Sequence, residues 1–181
     1  SDFLSWTKFG RPWTDFEWLT QLIYYLLNSI GGFWALFFLK ILIFSAVLCV
    51  CFFTLKLYGL EKFAFLGMPL LSAGLMPNMD LRPENFSVLF FSLELYWLEK
   101  KRISGGEITL KEFLIIPAVF ALWANLHAGF IYGIALMIIY AAGELTYSAL
   151  PAVYGKVSFK DIKLPRLPAA KCCRTREFPP V

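Results

Sequence analysis

Residues 33–55 (FWALFFLKILIFSAVLCVCFFTL) form the longest apolar run of the chain, and Lys40 is the only charged residue within it. A helix of this length reaches about 34 Å, which is enough to cross the hydrocarbon core of a bilayer. The rest of the 181-residue chain has the same character, because 59% of its residues are hydrophobic and only 17% are charged. A soluble domain is roughly half apolar and about a quarter charged. The composition therefore predicts an integral membrane protein.

Four further apolar runs follow the first and are separated by short polar segments. They lie at residues 63–79, 86–98, 113–126 and 129–148. The runs at 86–98 and 113–126 are short, so they span a bilayer only if flanking charged side chains extend to the interface. The apolar stretch 18–30 reaches only about 20 Å before the Gly31-Gly32 pair breaks it, which favours an interfacial helix. We predict an all-α polytopic transmembrane helical bundle of about five spans plus this short interfacial helix.

Basic residues are concentrated in alternate loops. One set comprises Lys56, Lys62, Lys100, Lys101, Arg102, Lys111 and seven basic residues of the tail, and the other only Lys8, Arg11 and Arg82. The richer set should be cytoplasmic, with the N-terminus outside and the C-terminus inside. We expect a transmembrane domain over residues 1–150 and a disordered, basic cytoplasmic tail over 151–181. Because the chain does not begin with Met and opens without a charged, apolar leader, we also expect an internal piece of a longer protein, or a start that was not captured.

Unusual polar residues gather on the predicted outer side, and the clearest group is Trp123-x-Asn125-x-His127. Asn and His side chains can bind sugar hydroxyls or phosphate, and a Trp ring can stack on a sugar. A His can also act as an acid or base near neutral pH. The alternative is an ordinary capped helix end with a satisfied polar turn.

Four charged residues are further candidates for binding a substrate. Arg82 is suited to bind a phosphate through two hydrogen bonds, or is an interfacial anchor. Lys40 is an intramembrane cation, or its side chain extends to the interface. Asp15 and Glu17 place two carboxylates beside aromatic rings at the membrane surface, although Asp15 can also cap a helix and Glu17 suits a helix start.

Several site classes are excluded or disfavoured by spacing. Cys49 and Cys51 lie inside a span and Cys172 and Cys173 are adjacent, so neither pair has metal-ligand spacing with a His. Nucleophile-elbow, phosphate-loop and dinucleotide-binding motifs are absent from the sequence. The basic tail fits anionic lipid better than nucleic acid, because no nucleic-acid-binding module accompanies it. No cofactor is required; outer carboxylates allow a divalent metal without requiring one.

Taken in order, several segments resemble GT-C-type membrane glycosyltransferases of bacteria, relatives of the protein mannosyltransferases and the lipid A aminoarabinose transferases. The segments are 2–7 (DFLSWT), 10–13 (GRPW), 17–21 (EWLTQ), Gly31-Gly32, Leu39-Lys40, 82–87 (RPENFS) and 123–130 (WANLHAGF). The resemblance implies an enzyme of the bacterial inner membrane. Such enzymes move a sugar from a polyprenyl-phosphate donor to an acceptor at the outer face.

The resemblance also implies roles for individual residues. The family's catalytic aspartate would lie upstream of Ser1, so Glu17, Arg82, Asn125 and His127 would bind substrate or leaving group. The Lys-Pro-Pro-Leu motif of some relatives is replaced by residues 15–19, which leaves Arg82 or Lys40 to meet the lipid phosphate. The rival interpretations are a transporter, which should show internal repeats and broken helices, and a non-catalytic membrane fragment. The sequence does not indicate the oligomeric state.

Overall fold

Five α-helices make up most of the computed structural model, which describes residues 16–75, 80–106 and 108–154. They are α1 (Trp18–Leu57), α2 (Ala64–Leu75), α3 (Glu84–Ser104), α4 (Leu110–Leu126) and α5 (Phe130–Tyr154), with a short 3-10 helix (Glu61–Phe63) before α2. No strand occurs within these ranges, so the predicted all-α class is confirmed. α5 continues past the expected domain boundary at residue 150, and the predicted tail beyond Tyr154 lies outside the described residues.

α3 is the central helix and packs against α1, α4 and α5. α5 runs parallel to α3, because Gly129 lies beside Ser87 and Tyr140 hydrogen-bonds to Glu99. α4 runs antiparallel, since Trp123 near its end bonds to Ser87. The helices therefore define two ends of the bundle: the His127 end, where α3 and α5 begin and α4 finishes, and the Glu99 end opposite.

The predicted break at Gly31-Gly32 is confirmed, because Gly32 interrupts α1 with φ 57° and ψ −147°. This region of backbone space is essentially restricted to glycine. Leu19 and Ile23, before the break, pack against the same cluster as Ile43, after it. A straight helix would separate Leu19 from Ile43 by about 36 Å. The two halves of α1 therefore fold towards one another at Gly32.

Among the described helices, α1 alone is long and apolar enough to cross a membrane by length and composition. Only 11% of its most apolar window is buried inside the protein, unlike the core helix of a soluble domain. A shorter apolar helical segment covers Phe130–Thr146. α2 has 12 residues and reaches about 18 Å. The described residues thus contain one candidate span, and the count of five spans stays a prediction.

Apolar side chains lie mainly on the outside of the bundle. Ile30 is 82% exposed and Phe65 78% exposed, whereas few large apolar side chains are buried. α3, the central helix, instead buries the polar side chains of Ser87 and Glu99. Polar groups are therefore enclosed between helices, and aromatic and aliphatic groups surround them.

Candidate functional site

His127 lies at the turn between α4 and α5, where its backbone leaves the helical conformation. The backbone N–H of Gly129 donates to His127 Nδ1 over 3.0 Å, and Ser87 Oγ lies 2.7 Å from the same atom. Because a backbone N–H can only donate, Nδ1 is the accepting nitrogen and the ring proton is on Nε2. Nε2 faces Glu17 Oε1 at 3.4 Å.

A buried tryptophan fixes the serine that holds this ring. Trp123 is 1% exposed, and its Nε1–H donates to Ser87 Oγ over 2.8 Å. The ring of Trp123 packs on Phe90 and Phe120, with centroids 5.6 and 5.7 Å away. Since Ser87 Oγ accepts from Trp123, its own proton is available to His127 Nδ1. The hydrogen bonds are thus donated in one direction, from Trp123 to Ser87, from Ser87 to His127 and from His127 towards Glu17.

Gly129 allows the close approach of this turn to α3. A Cβ at residue 129 would lie 2.3 Å from Ser87 Oγ and 2.8 Å from His127 Nδ1. Both distances are far below van der Waals contact, and neither group can move without losing its hydrogen bonds. A glycine is therefore required at this point of the site.

The start of α1 is tied to the end of α4 by two side-chain hydrogen bonds. Trp18 Nε1–H donates to Asn125 Oδ1 over 2.8 Å, while Thr20 Oγ donates to the Leu126 carbonyl over 2.7 Å. Thr20 is fully buried, and its bond satisfies one of the carbonyl groups that a helix end leaves without a helical partner. These contacts position Glu17, the residue before α1, next to His127.

Of the residues predicted as a site, Glu17, Asn125 and His127 are brought together at the His127 end. Trp123 joins them only through its hydrogen bond to Ser87, because its buried ring leaves no face for the sugar stacking that the sequence suggested. Arg82 lies just before α3 and pairs with Asp80 at 3.2 Å, with both side chains exposed.

Two other predicted residues are outside this arrangement. Lys40 is half-buried in α1 without a side-chain partner among the described residues. Asp15 lies outside the described residues. Within the part of the chain that the structure describes, no three His, Cys, Asp or Glu side chains are grouped closely enough to hold a metal ion.

An apolar groove of about 370 Å³ runs between α4 and α5 from the same end. Its lining includes Phe120, Ala121 and Ala124 of α4 and Phe130, Ile134 and Met137 of α5. The groove adjoins the polar site through Ala121, whose carbonyl accepts a hydrogen bond from Asn125 Nδ2 over 2.7 Å. A polar cluster therefore borders an apolar groove.

A second polar cluster, which the sequence did not indicate, lies at the Glu99 end. Glu99 forms an ion pair with Arg102 at 2.7 Å and accepts hydrogen bonds from the hydroxyls of Tyr58 and Tyr140. Glu99 is therefore an ionised residue that joins α1, α3 and α5.

The neighbouring Glu112 links the start of α4 to the end of α3. Its carboxylate lies 2.8 Å from Lys101 Nζ and accepts from Trp97 Nε1 over 3.0 Å. It also completes a capping box with Thr109. The hydrogen bond from Lys101, followed by the one from the Thr109 backbone, lowers the pKa of Glu112 to about 2. Lys101 and Arg102, predicted only as cytoplasmic charges, thus have specific partners.

Comparison with family models, with curated proteins and with solved structures finds no match for the chain.

Ser87 and Gly129, which the sequence did not single out, complete the site. Both lie within the segments 82–87 and 123–130 quoted above. Their sequence separation hides the contact, because only the packing of α3 against the α4–α5 turn brings them together.

Proposed function

We propose that the chain belongs to a polytopic protein of the bacterial inner membrane, with its His127 end at the extracytoplasmic face. The support is the arrangement of polarity. Ser87 and Glu99 are enclosed by neighbouring helices, while large apolar side chains cover the outside. A contiguous apolar surface of this kind marks a membrane or a partner interface, and membrane helices turn their ionisable groups towards the bundle interior.

The activity proposed for this protein is transfer of a sugar from a polyprenyl-phosphate donor to an acceptor hydroxyl. The observation that carries it is the junction of the apolar α4–α5 groove with the polar site of Glu17, Asn125 and His127. A lipid-linked sugar has the same two-part character, an apolar chain joined to a polar head. The groove would hold the first isoprene units, and the polar site the sugar phosphate.

Each side chain of the site then has a definite task. The Glu17 carboxylate accepts hydrogen bonds from hydroxyl groups, and the Nε2–H of His127 donates to a hydroxyl or a phosphate oxygen. The acceptor oxygen attacks the anomeric carbon, and its proton passes to the catalytic aspartate that the family resemblance implies. Arg82, at the same end, offers a cation for the phosphate that leaves. Ser87, Trp123 and Gly129 keep the His127 ring in the tautomer that presents Nε2–H.

The test compares two identical chemical changes at the His127 end. Glu17→Gln removes the carboxylate that faces His127, whereas Glu84→Gln changes an exposed carboxylate in the first turn of α3. With full-length protein in membranes and radiolabelled polyprenyl-phosphate mannose or aminoarabinose as donors, we expect Glu17→Gln to lower transfer by about tenfold or more. Glu84→Gln should transfer at the wild-type rate. Equal rates for wild type and Glu17→Gln would refute the proposal.

Transport is the second candidate, and the break of α1 at Gly32 favours it. Transporters bind substrate where membrane helices are interrupted. In sealed vesicles, a transporter would move the lipid-linked sugar between leaflets without transferring it to an acceptor. Two results together would support transport. The wild type would transfer sugar from neither donor, and Glu17→Gln would block the movement between leaflets.

A further inference from the structure

Glu94 lies at the middle of α3, about 15 Å from either end of the helix. Both of its carboxylate oxygens are buried, and neither has a hydrogen-bond partner in the described part of the chain. It belongs neither to the His127 site nor to the Glu99 cluster.

The Glu94 carboxyl lies between Gly133 and the Trp123 ring. A Cβ at residue 133 would lie 2.6 Å from Glu94 Oε2 and 2.5 Å from Cζ3 of Trp123. Gly133 of α5 therefore provides the space in which the carboxyl lies. The far edge of the Trp123 ring closes this space, while the indole N–H on its other side bonds to Ser87. The ring separates Glu94 from His127.

The groups on the neighbouring helices do not neutralise this carboxyl. Residues 113–126 of α4 include no titratable side chain. The second half of α1 carries Lys40, Cys49, Cys51 and Lys56, and the described side chains of α5 include Tyr132, Tyr140 and Glu144. None of these forms a hydrogen bond or ion pair with Glu94, and Tyr140 bonds to Glu99 instead.

An ionised carboxylate without a partner is too costly in such a place, so the group takes its neutral form. A bound metal cation would need several further ligands, and the described residues contain no group of three or more His, Cys, Asp or Glu side chains that could hold one. A proton needs only the carboxylate itself. We propose that Glu94 is a proton-binding site in the apolar interior of the bundle, independent of the activity at the His127 end.

This proposal predicts a specific covalent reaction. A protonated carboxylic acid adds to a carbodiimide: its proton goes to one nitrogen, its oxygen bonds to the central carbon, and the acyl group then migrates to nitrogen. The stable product contains the whole reagent, and nothing is released. Hydrophobic dicyclohexylcarbodiimide can enter an apolar bundle from the lipid, whereas a water-soluble carbodiimide cannot.

The experiment treats full-length protein in membranes with each reagent and maps the adducts by peptide mass spectrometry. We expect dicyclohexylcarbodiimide to label Glu94 and not Glu99, which Arg102 keeps ionised. The isosteric variant Glu94→Gln should lose the label, and labelling should fall as the pH is raised through the titration of the group. The water-soluble reagent should leave Glu94 unmodified.

Three results would overturn the proposal. Glu94 unlabelled in the folded protein, but labelled after denaturation, would show that it is ionised or sealed off. Equal labelling by the water-soluble reagent would show that it faces water. Protection by sodium at constant pH and ionic strength would show that the site binds a metal cation rather than a proton.

Discussion

Ser87 is the residue on which the geometry of the His127 site depends. Its hydroxyl accepts from the buried Trp123 N–H and lies within hydrogen-bond distance of His127 Nδ1. A buried polar group without a partner costs more free energy than a hydrogen bond contributes. A hydrogen-bond network that lacks one member therefore destabilises the protein more than an apolar core would. The serine therefore supports both the packing of α3 against α4 and the orientation of the ring.

Replacing Ser87 by Ala should destabilise the protein by about 1–3 kcal/mol, because the Trp123 N–H loses its acceptor inside the bundle. Thermal unfolding in detergent, followed by circular dichroism, measures the change. Ser92→Ala is the matched control, since the Ser92 hydroxyl bonds only to the Val88 carbonyl of its own helix. In the double variant Ser87→Ala/Trp123→Phe the donor is gone as well, so the loss should be smaller than the sum of the single losses. Strict additivity would contradict the hydrogen bond.

At the scale of helices, hydropathy predicted where apolar surface lies rather than where each helix ends. The run 86–98 corresponds to α3, yet α3 extends to Ser104, because Lys101 and Arg102 continue the helix with Glu112 and Glu99 as partners. Gly105, with φ 63°, then ends it in the left-handed conformation. Glu112 comes from the next helix, so the local sequence does not reveal it, whereas Glu99 and Arg102 are a local pair three residues apart in α3.

The break of α1 shows the same division between local and long-range causes. The Gly31-Gly32 pair predicts an interruption, because only glycine tolerates the torsion angles found at Gly32. The fold-back of α1 depends on the packing of Ile23 against the buried cluster of Ile43, Phe86 and Leu126. Likewise, the sequence placed Glu17, Asn125 and His127 on one side of a membrane, but not within contact of one another.

The junction of α3 and α4 should lose stability in acid. Glu112 has a pKa of about 2 in the folded protein, below its ordinary value of 4.5, because Lys101 and the Thr109 backbone stabilise its charge. Its contribution is therefore complete above about pH 4.5 and is lost as the pH falls towards 2. Thermal unfolding from pH 7 to pH 2 should show the wild type more stable than Glu112→Gln at neutral pH, with the difference shrinking in acid.

A double-mutant cycle assigns this effect to the ion pair. Lys101→Gln removes the partner at 2.8 Å, so adding Glu112→Gln to it should cost less than Glu112→Gln alone. The capping box with Thr109 remains a separate contribution in both backgrounds. A wild-type advantage that is constant from pH 7 to pH 2 would show that the carboxylate is not stabilised in the folded state.

At the scale of the whole molecule, the two ends of the bundle differ in charge. The helix ends at the Glu99 end carry Lys56, Lys62, Lys100 and Lys111 in addition to the paired Lys101 and Arg102. Within the described ranges, the basic residue at the His127 end is Arg82, and its charge is paired with that of Asp80. Positive charge is retained on the cytoplasmic side of membrane proteins, so the asymmetry favours the outward orientation proposed for the site.

This orientation can be measured with single cysteines. In a protein whose four natural cysteines are replaced by serine, Glu84→Cys marks the His127 end and Lys100→Cys the Glu99 end. A membrane-impermeant maleimide should label Glu84→Cys in spheroplasts with an intact inner membrane, and Lys100→Cys only after the membrane is opened. Since α3 alone separates the two positions, this pattern would establish that α3 crosses the bilayer.

Labelling of both positions from outside would place α3 on the membrane surface, and the reverse pattern would turn the Glu17–His127 pair towards the cytoplasm. In either case an extracytoplasmic sugar transfer at this site would be untenable.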